Sequence, residues 1–177
     1  MPTWPGRCAR LLVRKQVLKR KIEMTVASES PLRLQLGAWN DLGRFAGPLR
    51  MAVFVREQGV PPALEMDELD PLCLHVVAFD ASGQAVATGR LLKDQDTPGA
   101  ARVGRMAVAR AVRGQGVGRQ VLDALVAAAR QRGDTQVVLS AQLHARAFYA
   151  QAGFEAEGEV YDDAGIPHIT MRKHLST

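Results

Sequence analysis

The chain has 177 residues, 47% of them hydrophobic and 23% charged, which suits one well-packed globular domain and excludes a disordered or fibrous polypeptide. Its net charge of +5 is unevenly placed: seven of the 23 Lys and Arg residues stand at positions 7, 10, 14, 15, 19, 20 and 21, whereas all 18 acids lie from Glu23 onward. The remainder carries 16 bases against 18 acids, so the domain is not basic and nucleic acid is not an expected partner.

Residues 1–23 form an Arg-rich leader with no acid before Glu23, expected to be a poorly ordered extension preceding a single domain over residues 24–177. Its apolar run Leu11-Leu12-Val13 is broken at once by Arg14-Lys15, unlike a signal peptide, and no later stretch reaches membrane-spanning length. Cys8 and Cys73 form no CxxC pair and no His stands at metal-ligand spacing. The expectation is a reduced, cytoplasmic protein without a metal.

Residues 32–36, Leu-Arg-Leu-Gln-Leu, alternate with period two and predict a half-buried strand ended by Gly37. A helix over residues 39–46 follows, and Gly47-Pro48 predicts a break before a second helix over residues 49–57. Two apolar runs, 74–80 and 85–92, flank Ser82-Gly83 and predict an antiparallel hairpin. Residues 103–108 read as a further strand. Over residues 117–132, Val121, Leu122, Leu125, Val126 and Ala129 recur at helical spacing, with Gly133 as the stop. A strand over 136–141, a short helix over 144–152 and a closing strand over 169–175 complete the order. The alternation predicts an α/β (α+β) domain: a mixed, mostly antiparallel central sheet flanked by helices.

The segment Arg113-Gly114-Gln115-Gly116-Val117-Gly118 joins a strand to the start of the strongest helix. Unpaired N–H groups and the dipole at a helix start make an anion site, and glycines let the backbone approach phosphate closely. A dinucleotide fingerprint is excluded by Arg119 at its last glycine, and an ATP-binding loop by the absence of lysine between Lys93 and Lys173.

The loop reads RxxGxG and resembles the pyrophosphate-binding motif of the GNAT superfamily of acyl-CoA-dependent N-acyltransferases. A later block, Ser140-Ala141-Gln142-Leu143-His144-Ala145-Arg146-Ala147-Phe148-Tyr149 followed by Gly153-Phe154, is similar to that family's late strand and helix with its aromatic pair. The run Arg50-Met51-Ala52-Val53-Phe54-Val55-Arg56-Glu57-Gln58-Gly59-Val60-Pro61, with Glu65, Asp67, Asp70 and His75 after it, resembles the ElaA-like and YjcF-like subgroup.

This resemblance implies the GNAT fold and acetyl transfer from acetyl-CoA to a primary amine, borne by a small molecule or a protein, by direct attack. It implies that Arg113, Gly114, Gln115, Gly116, Val117, Gly118 and Arg119 surround the pyrophosphate and that Met106, Ala107 and Val108 line the pantetheine arm. The Val108 N–H then faces the oxyanion, and Tyr149 faces the departing sulfur. Gln142 stands where relatives carry an asparagine that bonds the pantetheine arm. Some relatives use a glutamate on the strand before the loop as base, but Gly104 and Arg105 occupy that region here. Glu65 is the first choice of base, with Asp67, Asp70, His75 and His168 as further candidates, and the acidic stretch 65–70 is expected to attract a cationic amine. The same resemblance leaves two rival readings: an acyl-homoserine lactone synthase, echoed in Arg50, Phe54, Asp67 and Asp70, and a non-catalytic acyl-CoA-binding module. It also leaves a homodimer open.

Overall fold

A computed structural model describes residues 32–175. The extension expected over residues 1–23, and the start of the domain at 24, lie outside the described residues. In chain order the elements are β1 (Arg33–Gly37), α1 (Trp39–Arg50), α2 (Pro62–Glu65), β2 (Leu74–Phe79), β3 (Ala85–Lys93), β4 (Ala100–Val108), α3 (Val117–Gln131), β5 (Gln136–Gln142), α4 (Arg146–Gln151), β6 (Glu155–Asp163) and β7 (Ile166–His174). The strands form one sheet in the order β1-β2-β3-β4-β5-β7-β6. Every neighbouring pair is antiparallel except β4 and β5, which run parallel. This is the mixed sheet the periodicities predict.

Each face of the sheet is covered by helix. On one face α3 buries Val117, Val121, Leu122, Leu125, Val126 and Ala129 against Val76, Val103, Leu139, Ile169 and Met171. Gly89 in β3 permits this approach: a Cβ there would stand 2.6 Å from Met106 Sδ and 2.8 Å from Leu125 Cδ1. On the other face α1 lays Leu42 and Ala46 on Val77 and Phe79, and Leu49 with Val53 on Ala107. The β2–β3 turn forms where expected, because Asp80 Oδ1 accepts from the backbone N–H groups of Ser82 and Gln84, each at 2.9 Å.

Three expectations need correction. The break at Gly47-Pro48 does not occur: α1 runs through Pro48 and continues as a wide π-helical stretch, Met51–Glu57. The buried positions Leu42, Ala46, Leu49, Arg50 and Val53 stay in phase across the proline, so burial of one continuous face outweighs the ~3 kcal/mol that proline costs inside a helix. The expected helix from residue 144 opens instead as a tight 3₁₀ turn, Leu143–Ala145, before α4. The closing strand begins three residues earlier than expected and pairs with β6, whose nine residues are all exposed. A charged edge strand carries no apolar alternation and so gives no strand signal in the sequence.

Candidate active site in the splayed cleft

The parallel pairing of β4 with β5 extends from Ala100–Gln136 to Val103–Leu139 and stops there. The remaining halves of the two strands diverge. On its other edge β4 carries a bulge, where Gly104 to Ala107 span only Arg90 to Thr88 of β3. Arg105 sits at this bulge with φ +51°, a conformation that is strained for a residue with a side chain. Beyond the bulge, the Ala109 N–H donates to Val86 O at 2.8 Å. By the alternation of an antiparallel ladder, the N–H of Val108 therefore faces away from β3, into the gap beside β5. Residues on both walls of this gap line one cleft of about 910 Å³.

The glycine loop closes one end of the cleft. Gly114 and Gly116 take φ +78° and +77°, with no atom within 4 Å of a Cβ built on either, and Gly116 is the N-cap of α3. The loop thus presents bare backbone and open space at a helix start, which fits a diphosphate. Val117 is buried and anchors the helix, while the Cβ position of Gly118 lies 3.2 Å from Val108 Cγ2. Arg113 turns toward the cleft, with Nε donating to Val108 O at 3.0 Å and Nη2 donating to Glu57 Oε2 at 2.9 Å. The hydrogen bond from Arg113 holds the Glu57 carboxyl below its ordinary range. Arg119 lies on the exposed side of α3, bonded to Asp123 and to Gln151 O. Gln115 bonds Ala111 O at 3.2 Å.

Tyr149 lies in the cleft wall, edge-on to Phe148 with ring centroids 4.9 Å apart. It is 8% exposed, and its hydroxyl has no hydrogen-bond partner among the described residues. Burial pushes the phenol up to about 12. Against a thiol near 8.5, complete proton transfer to a thiolate is uphill by roughly 5 kcal/mol, so the hydroxyl is suited to donating a hydrogen bond rather than a proton.

The acidic stretch does not face the cleft as open carboxylates. Asp67 receives both Nη1 (2.6 Å) and Nη2 (2.7 Å) of Arg90, and Asp70 Oδ1 receives Nη1 of Arg50 and of Arg90, each at 2.7 Å. Glu65 is 3% exposed and accepts from Arg50 Nε, with Arg105 Nε 3.3 Å from its other oxygen. Arg105 also donates to Leu64 O at 3.0 Å and Glu65 O at 3.1 Å, fastening α2 to the bulge. Three carboxylates are thus matched by three guanidiniums beneath the cleft, an arrangement whose partners are 15 to 40 positions apart in sequence. Sequence reasoning named Arg50 and Arg105 without their ion pairs and missed Arg90, because no local spacing connects the three to residues 65–70.

For Asp67 and Asp70, burial alone would raise the carboxyls, but the hydrogen bonds and charges of Arg90, joined by Arg50 at Asp70, outweigh it and hold both below their ordinary range. A carboxyl depressed in the folded state stabilises it fully above the unfolded value, near 4, and loses that contribution as pH falls through the folded value. Thermal melts are therefore expected to weaken below about pH 4, with Asp70→Asn flattening that acid limb and lowering stability at neutral pH.

The opposite wall comes from β5 and β7. Gln142 is half-buried, and its amide donates to Gln58 Oε1 at 2.9 Å, tying β5 to the end of the π-helical stretch. Ser140, His144 and His168 line the same cleft. His75 does not: it is 1% exposed, its Nε2 lies 2.9 Å from Asp70 O, and burial lowers its pKa.

The chain belongs to the GNAT acetyltransferases: the model of the "Acetyltransferase (GNAT) domain" matches residues 50–175. Within that family it is 36% identical to Protein ElaA of Escherichia coli K12 over 129 residues, 72% of this chain and 84% of that one. It is 38% identical to YjcF of Bacillus subtilis, named an uncharacterised N-acetyltransferase, over 71% of this chain and 87% of that one. Among solved structures, an acyl-CoA N-acyltransferase from Pseudomonas aeruginosa superposes with TM-score 0.71 at 40% identity, covering 81% of this chain and 99% of that one. Escherichia coli ElaA superposes with TM-score 0.73 at 30% identity, covering 81% of this chain and all of that one. Among the described residues no helix is long and apolar enough to cross a membrane.

Proposed function

We propose that this chain transfers an acetyl group from acetyl-CoA to a primary amine by direct attack of the amine within the cleft. The observation that carries the reading is the end of β4–β5 pairing at Val103–Leu139, which joins the glycine loop to the face lined by Ser140, Gln142 and His168. A cleft continuous from the anion end to this face accommodates both substrates at once. The match to the GNAT family and the relatives named as N-acyltransferases support the same reading.

The bound co-substrate supplies an activated thioester, and the chain's own groups do the rest. Gly114, Gly116 and the start of α3 hold the diphosphate, with Arg113 within reach once it leaves Glu57. The edges of Met106, Ala107 and Val108 align the arm along β4. The N–H of Val108 donates to negative charge developing on the carbonyl oxygen. Tyr149 donates to charge developing on sulfur. Glu65, Asp67 and Asp70, each paired with arginine, underlie the pocket floor, with Glu65 and Asp67 holding the strained Arg105, so they are not the base and exert little pull on a cation.

Tyr149→Phe in an acetyl-CoA thiol-release assay with primary amines tests this reading. A hydrogen bond to a charged group contributes about 1.5–3 kcal/mol, so kcat is expected to fall roughly 10- to 100-fold while acetyl-CoA affinity stays unchanged. Unaltered kcat would reduce Tyr149 to a packing residue.

A further inference from the structure

His168 stands apart from the other titratable groups around the cleft. On β7, Ile169 and Met171 face the core beneath α3, so His168 points to the opposite face. There its register partners are Gln142 on β5 and Tyr161 on β6. Tyr161 stacks on the imidazole at 23° with centroids 6.1 Å apart, and its hydroxyl donates to Ser140 Oγ at 2.6 Å. The ring is therefore held between fixed neighbours and is 8% exposed, yet it lines the cleft.

The tautomer is set by the backbone. Nδ1 lies 2.7 Å from Ile166 O, and a carbonyl oxygen only accepts, so the proton of the neutral ring is on Nδ1. The lone pair is then on Nε2, for which there is no hydrogen-bond partner among the described residues. An oriented imidazole with its basic nitrogen free at the acceptor wall is the arrangement a proton acceptor requires.

The competing groups are engaged elsewhere. Glu65, Asp67 and Asp70 are bound by Arg50, Arg90 and Arg105. His75 is in the interior, and Glu57 pairs with Arg113 beside the glycine loop, at the diphosphate end of the cleft. His144 and Asp163 stand exposed along the same cleft, and no atom of β4 supplies a carboxylate.

We propose that His168 is the general base of the transfer, accepting at Nε2 the proton that the amine sheds as it attacks. The proposal rests on the acyltransferase reading above. The amine lone pair forms the C–N bond at the thioester carbon, the C–S bond breaks with its electron pair on sulfur, and the nitrogen's proton passes to Nε2, directly or through one water. Nε2 then returns it to solvent, from which the thiolate takes a proton.

The test uses the full chain, acetyl-CoA and a panel of primary amines comprising polyamines, amino-acid amides and aminoglycosides. His168→Asn keeps a donor near Ile166 O and removes Nε2. Its kcat/KM is expected to fall about 100-fold or more and to recover partly with added imidazole, while acetyl-CoA affinity is unchanged. Long-range ¹H–¹⁵N spectra of the unsubstituted protein supply a readout that does not depend on the variant folding, and the Nδ1–H tautomer is expected. The Nε2–H tautomer, or a His168→Asn enzyme with the parent's rate and pH profile, would overturn the assignment. A parent chain that binds acetyl-CoA but acetylates no amine would overturn the acyltransferase reading itself, a separate and recognisable failure.

Discussion

Replacing Arg50 with alanine is expected to cost about 3–5 kcal/mol of folding stability, measured by denaturant unfolding, because it takes one of two arginine partners from each of two buried carboxylates. Arg50 is 1% exposed and, alone among the described residues, bridges Glu65 to Asp70, at the same time donating to Glu65 O at 2.6 Å. Its loss leaves Glu65 leaning on Arg105 and Asp70 on Arg90. A domain of this size has about 5–15 kcal/mol in total, so the variant is expected to be marginal at 37 °C. Adding Glu65→Gln is expected to recover part of the loss, since one undercompensated buried charge disappears, and the two effects are then non-additive. A stable Arg50→Ala protein would mean that Arg90 and Arg105 alone compensate the acids.

The second large effect is on co-substrate affinity. Gly116→Glu is expected to weaken acetyl-CoA binding at least 100-fold by calorimetry, because it places a carboxylate where backbone N–H groups must meet a diphosphate. The added side chain meets no protein atom within 4 Å, so the main structural cost is the φ of +77°, about 1–2 kcal/mol for a residue with a Cβ. Gly116→Ala carries that same cost without the charge and separates the two causes. A folded Gly116→Glu protein with the parent's affinity would remove the loop from the binding site.

How far the sequence reveals this molecule depends on the range of the interactions involved. The loop, α3 and the β2–β3 hairpin are legible because glycine spacing, a 3.6-residue period and a Ser-Gly turn are local signals. Pro48 misleads, since its local penalty is outweighed by a face buried along the whole of α1. The acids at 65, 67 and 70 read as a stretch open to a cationic amine because their partners at 50, 90 and 105 come from another helix and two strands. The resemblance of Arg50, Asp67 and Asp70 to a synthase pattern acquires here a structural meaning, the ion pairs beneath the cleft. The bulge that strains Arg105 and the carbonyl that fixes His168 are backbone facts without a residue signature.

The central claim is that acyl transfer to nitrogen occurs in this cleft. It is tested most directly by incubating the chain with ¹³C-acetyl-CoA and the amine panel, and by quantifying free thiol and labelled product together by mass spectrometry. Thiol release matched one to one by an N-acetylated amine is the predicted result. Thiol release without labelled amine, or bound acetyl-CoA that persists intact beside every amine, would contradict it.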